Sequence, residues 1–473
     1  MTSEPCTQTG ATVDPTATLV GDVVAPTTVA EDVLVDVAGG TLRGRRAAGL
    51  TILRGVRYAT AERFGPPVPE QPWTGVRDAR EHGGVSPQPS TRPGAVAGVP
   101  DVGVQSEDCL NLTIVTPAAD RARRPVLVWL HGGSYRTGSG SWDRYRTDRL
   151  ARDGDVVVVS VNYRLGALGY LRAPGISPGN LGLLDQIEAL RWVRANVADL
   201  GGDPENVTLV GQSSGAHSVA CLLGVAQARP LFRRAVLQSP PLGLGLGRAA
   251  AADRVATRFL ARLGQDPRKA SPAEVVAAQQ LAERDVAGRA GFGFAPAYGP
   301  VAGVEPLPEV PDWRAACRAG AEDLEVVLGT TRREIAYFLG GGPVSRHLPL
   351  VGRTVENGLI GSATWAVFAR PTLRFARMLA EAGARVFAYR IDGPASTSPY
   401  RACHCSDLPL LFGDEAAWAR APMLAGQSWA EVAERGGPLR TAWLSFVAGG
   451  AAALAEQGWA PYAGRGGAVR LFA

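Results

Sequence analysis

The segment VTLVGQSSG at 207–215 sets Ser213 between two glycines, in the pattern G-x-S-x-G, after an apolar run and before a small-residue stretch. A strand-to-helix turn at that point must be tight, and the flanking glycines leave room for a strained serine. The turn would lift the Ser213 hydroxyl above the sheet and aim the helix N-terminus at it. Free N–H groups and the helix dipole there favour negative charge. This is what a serine needs to attack a carbonyl carbon. The plainer alternative is a Ser/Gly turn ahead of an ordinary helix.

A carbonyl under attack gathers charge on its oxygen, and that charge needs donors. WLHGGSY at 129–135 ends an apolar run in a Gly-Gly loop, whose backbone N–H groups can approach such an oxygen closely. Gly133 and Ser134 are the expected donors there, with Ser214, the residue after the candidate nucleophile. Losing one donor of this kind costs about 3–4 kcal/mol of barrier. Alternatively, the glycines merely end a strand.

The serine proton needs a base. The five histidines are His82, His131, His217, His347 and His404. His131 sits in the glycine loop. His217 follows Ser213 by one helical turn and is expected to face sideways. His347 falls in a polar loop. His404 lies in RACHCSDLPLLFG at 401–413, beyond a late strand, where a base can reach over the sheet. Glu334, after the strand ending near Leu328, is the candidate acid to orient the imidazole; the alternative is an exposed loop carboxylate. The chain order Ser213, Glu334, His404 is one of the known orders for such a triad. Cys403 and Cys405 flank His404. An extended loop would turn both thiols away from the side His404 faces. No metal is expected, since a fourth ligand and a second cluster are lacking.

These residues need a frame that brings them together. PVLVWL at 125–130, DVVVVSV at 155–161, VTLV at 207–210, RAVLQ at 234–238, EVVL at 325–328 and RVFAY at 385–389 are apolar runs. Between them, Leu183, Ile187, Leu190, Val193 and Val197 recur at helical spacing, until GGDP at 201–204 breaks the helix. Apolar strands alternating with helices predict an α/β fold with a mostly parallel sheet covered on both faces. VLVDVAGGTLRGRR and LTILRGVRYA, from Val33 on, read as short strands around Gly-Gly and Arg-Gly turns. Residues 1–30 lack periodicity and read as a flexible tail. Residues 31–473 form one catalytic domain, with 241–300 and 414–440 as insertions or cap elements over one edge of the sheet.

Composition narrows the partners. The net charge is +5, arginine supplies nearly all the positive charge, and Lys269 is the single lysine. Scattered arginines without interleaved aromatics give no nucleic-acid surface. No run of about 18 apolar residues is present to span a membrane, and the N-terminus does not read as a signal peptide. The six cysteines, at 6, 109, 221, 317, 403 and 405, form no dense framework, so reduced thiols and a cytoplasmic location are expected. A monomer or weak homodimer is the simplest assembly.

With these segments in view, the chain resembles the type-B carboxylesterase family, which includes bacterial para-nitrobenzyl esterases and the cholinesterases. The resemblance runs from about Val33 to the C-terminus. Besides the segments above, it rests on RGVRYA at 54–59, PWTGVRD at 72–78, SEDCLNL at 106–112, VNYRLG at 161–166, NLGLLDQ at 180–186, GTTRRE at 329–334 and DLP at 407–409. It implies the α/β-hydrolase fold with helical cap insertions, the triad Ser213, Glu334 and His404, and the oxyanion donors Gly133, Ser134 and Ser214. It also implies two structural ion pairs, Arg63 with Glu107 and Arg164 with Asp185. There are departures. Gln212 stands where the family usually has glutamate, Ser134 replaces a third glycine and narrows the pocket, and Ser214 replaces alanine. Ile335 and the Pro240–Pro241 pair also replace usual glycines, and Ser86 stands where a cysteine would pair with Cys109.

The expected function is hydrolysis of a small-molecule carboxylic ester through an acyl-enzyme, with no cofactor; a neutral, medium-sized ester is the default. Acyl transfer, lactone or amide chemistry by the same triad is the alternative. A non-catalytic binding relative would have lost the serine or the histidine, and this chain keeps both.

Overall fold

The computed structural model describes residues 30–90, 95–247, 249–287, 296–339, 352–393, 398–464 and 466–472. The tail expected over 1–30 lies outside that set except for its last residue, as do Cys6 and His347.

Among the described residues the main sheet has twelve strands. Eleven are labelled β1 (Glu31–Val37), β2 (Gly40–Ala47), β3 (Leu50–Arg57), β4 (Asn111–Thr116), β5 (Arg124–Leu130), β6 (Val157–Val161), β7 (Gly202–Gln212), β8 (Arg234–Gln238), β9 (Glu325–Thr331), β10 (Arg385–Ile391) and β11 (Val469–Phe472). They lie in the order β1-β2-β3-β4-β6-β5-β7-β8-β9-β10-β11, and the short strand Val76–Asp78 pairs with β2. From β1 to β6 every pairing along this path is antiparallel. From β6 onward every pairing is parallel. This is the α/β-hydrolase fold, with a mostly parallel sheet between helices.

The parallel strands are apolar on both sides because both faces are covered. In β5, Val126, Val128 and Leu130 join the core on one face, whereas Leu127 and Trp129 join the core on the other. The strand period of two divides the run between two cores. Helices α1 (Leu181–Asn196) and α2 (Ser214–Leu223) bury Ile187, Leu190, Val219 and Leu222 in the first core.

The Arg-Gly pairs are not turns. Gly44 and Gly55 lie inside β2 and β3, and Gly55, at φ 63°, marks a register break between Leu53 and Val56. The β2–β3 turn is Ala48–Gly49 instead, with φ 48° and 78°. A two-residue hairpin needs positive φ at both positions to match the strand twist.

After β8 the chain adds α3 (Ala249–Leu263) and α4 (Pro272–Ala287), which pack together. They are two helices between β8 and β9, within 241–300. Residues 429–440 behave differently. They begin α6 (Trp429–Glu456), which follows α5 (Arg370–Glu381) in chain order and starts at a capping box between Ser428 and Glu431. Val432, Leu439, Trp443 and Phe446 lie in the second core with Leu127 and Trp129. This helix therefore lies on the face of the sheet rather than over an edge, because its apolar stripe continues beyond Arg440.

Both expected ion pairs form. Arg63 grips Glu107 through Nε and Nη2. Arg164 donates from Nε to Asp185 Oδ2 at 2.9 Å and from Nη2 to Oδ1 at 2.6 Å, with side chains 5% and 0% exposed. Removing one partner of a buried pair strands the other charge in low dielectric. Asp185→Ala is expected to lower the unfolding free energy by about 3–5 kcal/mol, read from urea denaturation.

Candidate active site

The parallel strands β5, β7, β9 and β10 all end at one edge of the sheet, where ligands gather in open α/β folds. Gln212 closes β7, and Ser213 follows with φ 56° and ψ −121°. Its N–H donates to Gln238 O at 2.8 Å, and its carbonyl accepts from His217 N at 2.9 Å. A side chain on Gly215 would meet Leu130 O at 2.1 Å, and one on Gly211 would meet Gly215 at 2.5 Å. Only glycines allow β7, β5 and α2 to approach so closely. The Ser/Gly turn is thus a strained elbow and not a loose one.

His404 and Glu334 meet this serine. His404 Nε2 lies 2.8 Å from Ser213 Oγ, and His404 Nδ1 lies 2.5 Å from Glu334 Oε2. Glu334 Oε1 accepts from Thr331 N at 2.7 Å. Glu334 is 0% exposed, so it is not a surface loop carboxylate. A carboxylate only accepts, so Nδ1 carries the imidazole proton and Nε2 is left to receive the serine proton. Phe338 and Phe368 pack on the ring at 5.4 and 5.2 Å between centroids. Three side chains spread over 191 positions therefore stand in one hydrogen-bonded row.

The glycine loop lies beside them. Gly133, Ser134 and Tyr135 have φ of 125°, 58° and 57°. Gly133 O accepts from Arg136 N and Thr137 N, which closes the loop on itself. A side chain on Gly133 would fall 1.9 Å from Thr137 O. Ser134, Ser213 and Ser214 all line one cavity of about 920 Å³. His131 is buried, stacks on Tyr163 and is pushed down to about 4 by burial. It serves the loop's packing.

His217, expected to face sideways, lines the same cavity. Its position i+4 from Ser213 puts it on the same helix face, a signal present in the spacing. Nε2 lies 3.2 Å from Gly245 O, which can only accept, so Nδ1 accepts from the Tyr135 hydroxyl at 2.7 Å. Burial pushes this imidazole down to about 4, so it is neutral near pH 7. The ring thereby ties the glycine loop to the chain after β8. His217→Ala is expected to lower kcat about tenfold with little change in KM, because the glycine loop beside Ser213 loosens. His217→Gln, which keeps an acceptor and a donor, should recover part of the loss.

Cys405 departs from the expected alternation. Residues 401–407 turn rather than extend, and Cys405 has φ 69°. Its sulfur accepts from Gln212 Nε2 at 3.3 Å, and the same nitrogen lies 3.4 Å from His404 Nε2. The thiol therefore shares Gln212 Nε2 with the His404 ring instead of pointing away. Cys109, Cys221, Cys317, Cys403 and Cys405 are free. Burial pushes Cys109 up to about 12. Asp407 is a second buried carboxyl nearby, held by Gln238 Nε2 at 2.8 Å. Burial first, then the charge of Glu334, raises it to about 6. Among the described residues no group of His, Cys, Asp and Glu is placed to hold a metal ion, and no helix is long and apolar enough to cross a membrane.

Fold and site together define an α/β-hydrolase with a serine poised against an imidazole. The Carboxylesterase family model matches residues 31–348. The chain is 45% identical, over 86% of its length and 91% of the relative's, to the probable N-octanoylanthranilate hydrolase AqdA2 of Rhodococcus erythropolis. It is 36% identical to the phenmedipham hydrolase of Pseudarthrobacter oxydans, over 86% of this chain and 88% of that one. It is 32% identical to the para-nitrobenzyl esterase of Bacillus subtilis over the same shares. Among solved structures, the carboxylesterase EST55 of Geobacillus stearothermophilus superposes with a TM-score of 0.77 at 32% identity, covering 93% of this chain and 96% of that one. The chain belongs to the carboxylesterase family, and it is a carboxylic ester hydrolase.

Proposed function

We propose that the enzyme cleaves its ester through an acyl-enzyme formed on Ser213. Ser213 Oγ attacks the carbonyl carbon as His404 Nε2 takes its proton, and Glu334 holds the resulting imidazolium. The backbone N–H groups of Gly133, Ser134 and Ser214 receive the oxyanion. His404 returns the proton to the leaving alcohol. A water then attacks the acyl group by the same relay and frees the acid. These steps use only groups of this chain and water. Residues 31–473 act as one catalytic unit, in the cytoplasm, as a monomer or weak homodimer. One observation carries the reading: His404 lies within hydrogen-bond reach of both Ser213 and Glu334.

Incubation with a fluorophosphonate probe tests it. A single covalent adduct on the Ser213 peptide, found by mass spectrometry, is the expected result. A folded protein that stays unlabelled would sink the proposal.

A second reading is favoured by the 45% identical relative, whose name describes an N-acyl bond. The same relay can cleave an anilide if His404 delivers its proton to the leaving nitrogen. Comparing octanoyl anilide with 4-nitrophenyl octanoate decides whether amide cleavage accompanies ester cleavage.

A further inference from the structure

The lining of the cavity that opens from Ser213 is of two chemical kinds. Leu244, Leu246, Val367 and Phe368 are apolar. Arg136, Arg172, Arg254 and Arg284 also line it, against a single carboxylate, Glu283. Arg172 is neutralised by Asp253, and Arg136 meets Glu283 at 3.4 Å, a loose pair. Arg254 and Arg284 have no ion pair or hydrogen bond among the described residues. Arg136 Nε is buried with no partner, two residues beyond Ser134 in the loop beside the nucleophile. Glu283 is itself raised above the usual carboxylate range, chiefly by burial.

We infer that these lining arginines select substrates bearing a carboxylate some distance from the scissile carbonyl, while the apolar lining residues take the uncharged part. The inference rests on Ser213 being the nucleophile, since the cavity is defined around it. It replaces the neutral ester expected by default with an acidic one. Guanidinium groups bind carboxylates through charge-assisted, often paired hydrogen bonds, so the preference is specific and not only a matter of attraction.

The test uses two matched pairs of esters. In the first, the 4-nitrophenyl monoester of glutaric acid is compared with its methyl diester, so that the charge lies on the acyl side. In the second, the hexanoate ester of 4-hydroxybenzoic acid is compared with that of methyl 4-hydroxybenzoate, so that it lies on the leaving group. In at least one pair the acidic ester should exceed its neutral partner about tenfold in kcat/KM. In the Arg254→Gln, Arg284→Gln double variant that ratio should fall toward one. A neutral partner equal or better in both pairs would overturn the inference, and so would a ratio unmoved in the double variant. Failure of the catalytic reading looks different: a folded Ser213→Ala enzyme would still turn these esters over.

Discussion

Replacing Ser213 by alanine is expected to lower kcat toward 4-nitrophenyl esters by about 100,000-fold or more, with KM within a few-fold of the parent. The hydroxyl does nothing for binding that the cavity walls do not already do, so the loss falls on the chemical step. The Ser213→Ala enzyme should still exceed the uncatalysed rate by about a thousandfold, because the backbone donors and the cavity remain. The strain at this position also belongs to the test. Alanine must adopt the φ of 56° that Ser213 holds. Thermal unfolding of the variant should therefore be compared with the parent, so that lost activity is not lost fold. Steady-state kinetics at saturating ester is the measurement. A fall of less than a hundredfold in a folded variant would mean that water attacks the ester directly and that no acyl-enzyme forms on this residue.

The second large effect is expected from Glu334→Gln, at about 10,000-fold in kcat. Both oxygens of Glu334 accept, one from Thr331 N and one from His404 Nδ1. Glutamine offers one oxygen and one NH2 group. If its oxygen stays with Thr331, the NH2 faces His404, and the imidazole must place its proton on Nε2. That proton then points at Ser213 Oγ, and the base has no lone pair where it is needed. If the amide turns over, a donor meets the Thr331 N–H instead, and the loop that carries residue 334 is pushed away from His404. Either arrangement disables the relay without emptying the cavity. Fluorophosphonate labelling of Ser213 should slow in parallel with kcat. Glu334→Asp keeps the charge on a shorter arm and should lose less. A Glu334→Gln enzyme within tenfold of the parent would show that this carboxylate does not orient the base.

These two effects differ in kind from those of Asp185 and His217. Ser213 and Glu334 stand on the proton path proposed above. Arg164 and Asp185 hold the frame, and their loss is read in stability. His217 touches neither Ser213 Oγ nor His404, yet it holds Tyr135 and hence the glycine loop, so its loss is read in kcat alone. Sorting variants by which measurement moves keeps these roles apart.

Much of the site is legible in the residues. The glycines at 211 and 215 have no other physical use in a strand-to-helix turn, because any side chain there collides with backbone. The apolar runs ending at Leu130 and Gln212 had to be parallel strands buried on both faces, since they carry no polar face to leave in water. Local chemistry of that kind leaves its mark on neighbouring positions. Glu334 is harder to read, because an acid after a strand is common and only its complete burial distinguishes it. His217 is legible in its i+4 spacing from Ser213. Cys405 is not, because the turn at 401–407 breaks the alternation that an extended segment would give.

Residue types and short spacings thus determined the α/β class, the elbow serine, the glycine loop and the family. Only tertiary packing decided that Tyr135, His217 and Gly245 form one clamp, that Cys405 lies against Gln212, and that four arginines from separate segments face a single cavity. The reason is physical. A turn or an amphipathic strand is set by interactions among residues a few positions apart. A cavity wall, by contrast, is made where α3, α4 and the loops after β5 and β6 happen to converge, and no short stretch of the chain carries the record of that convergence.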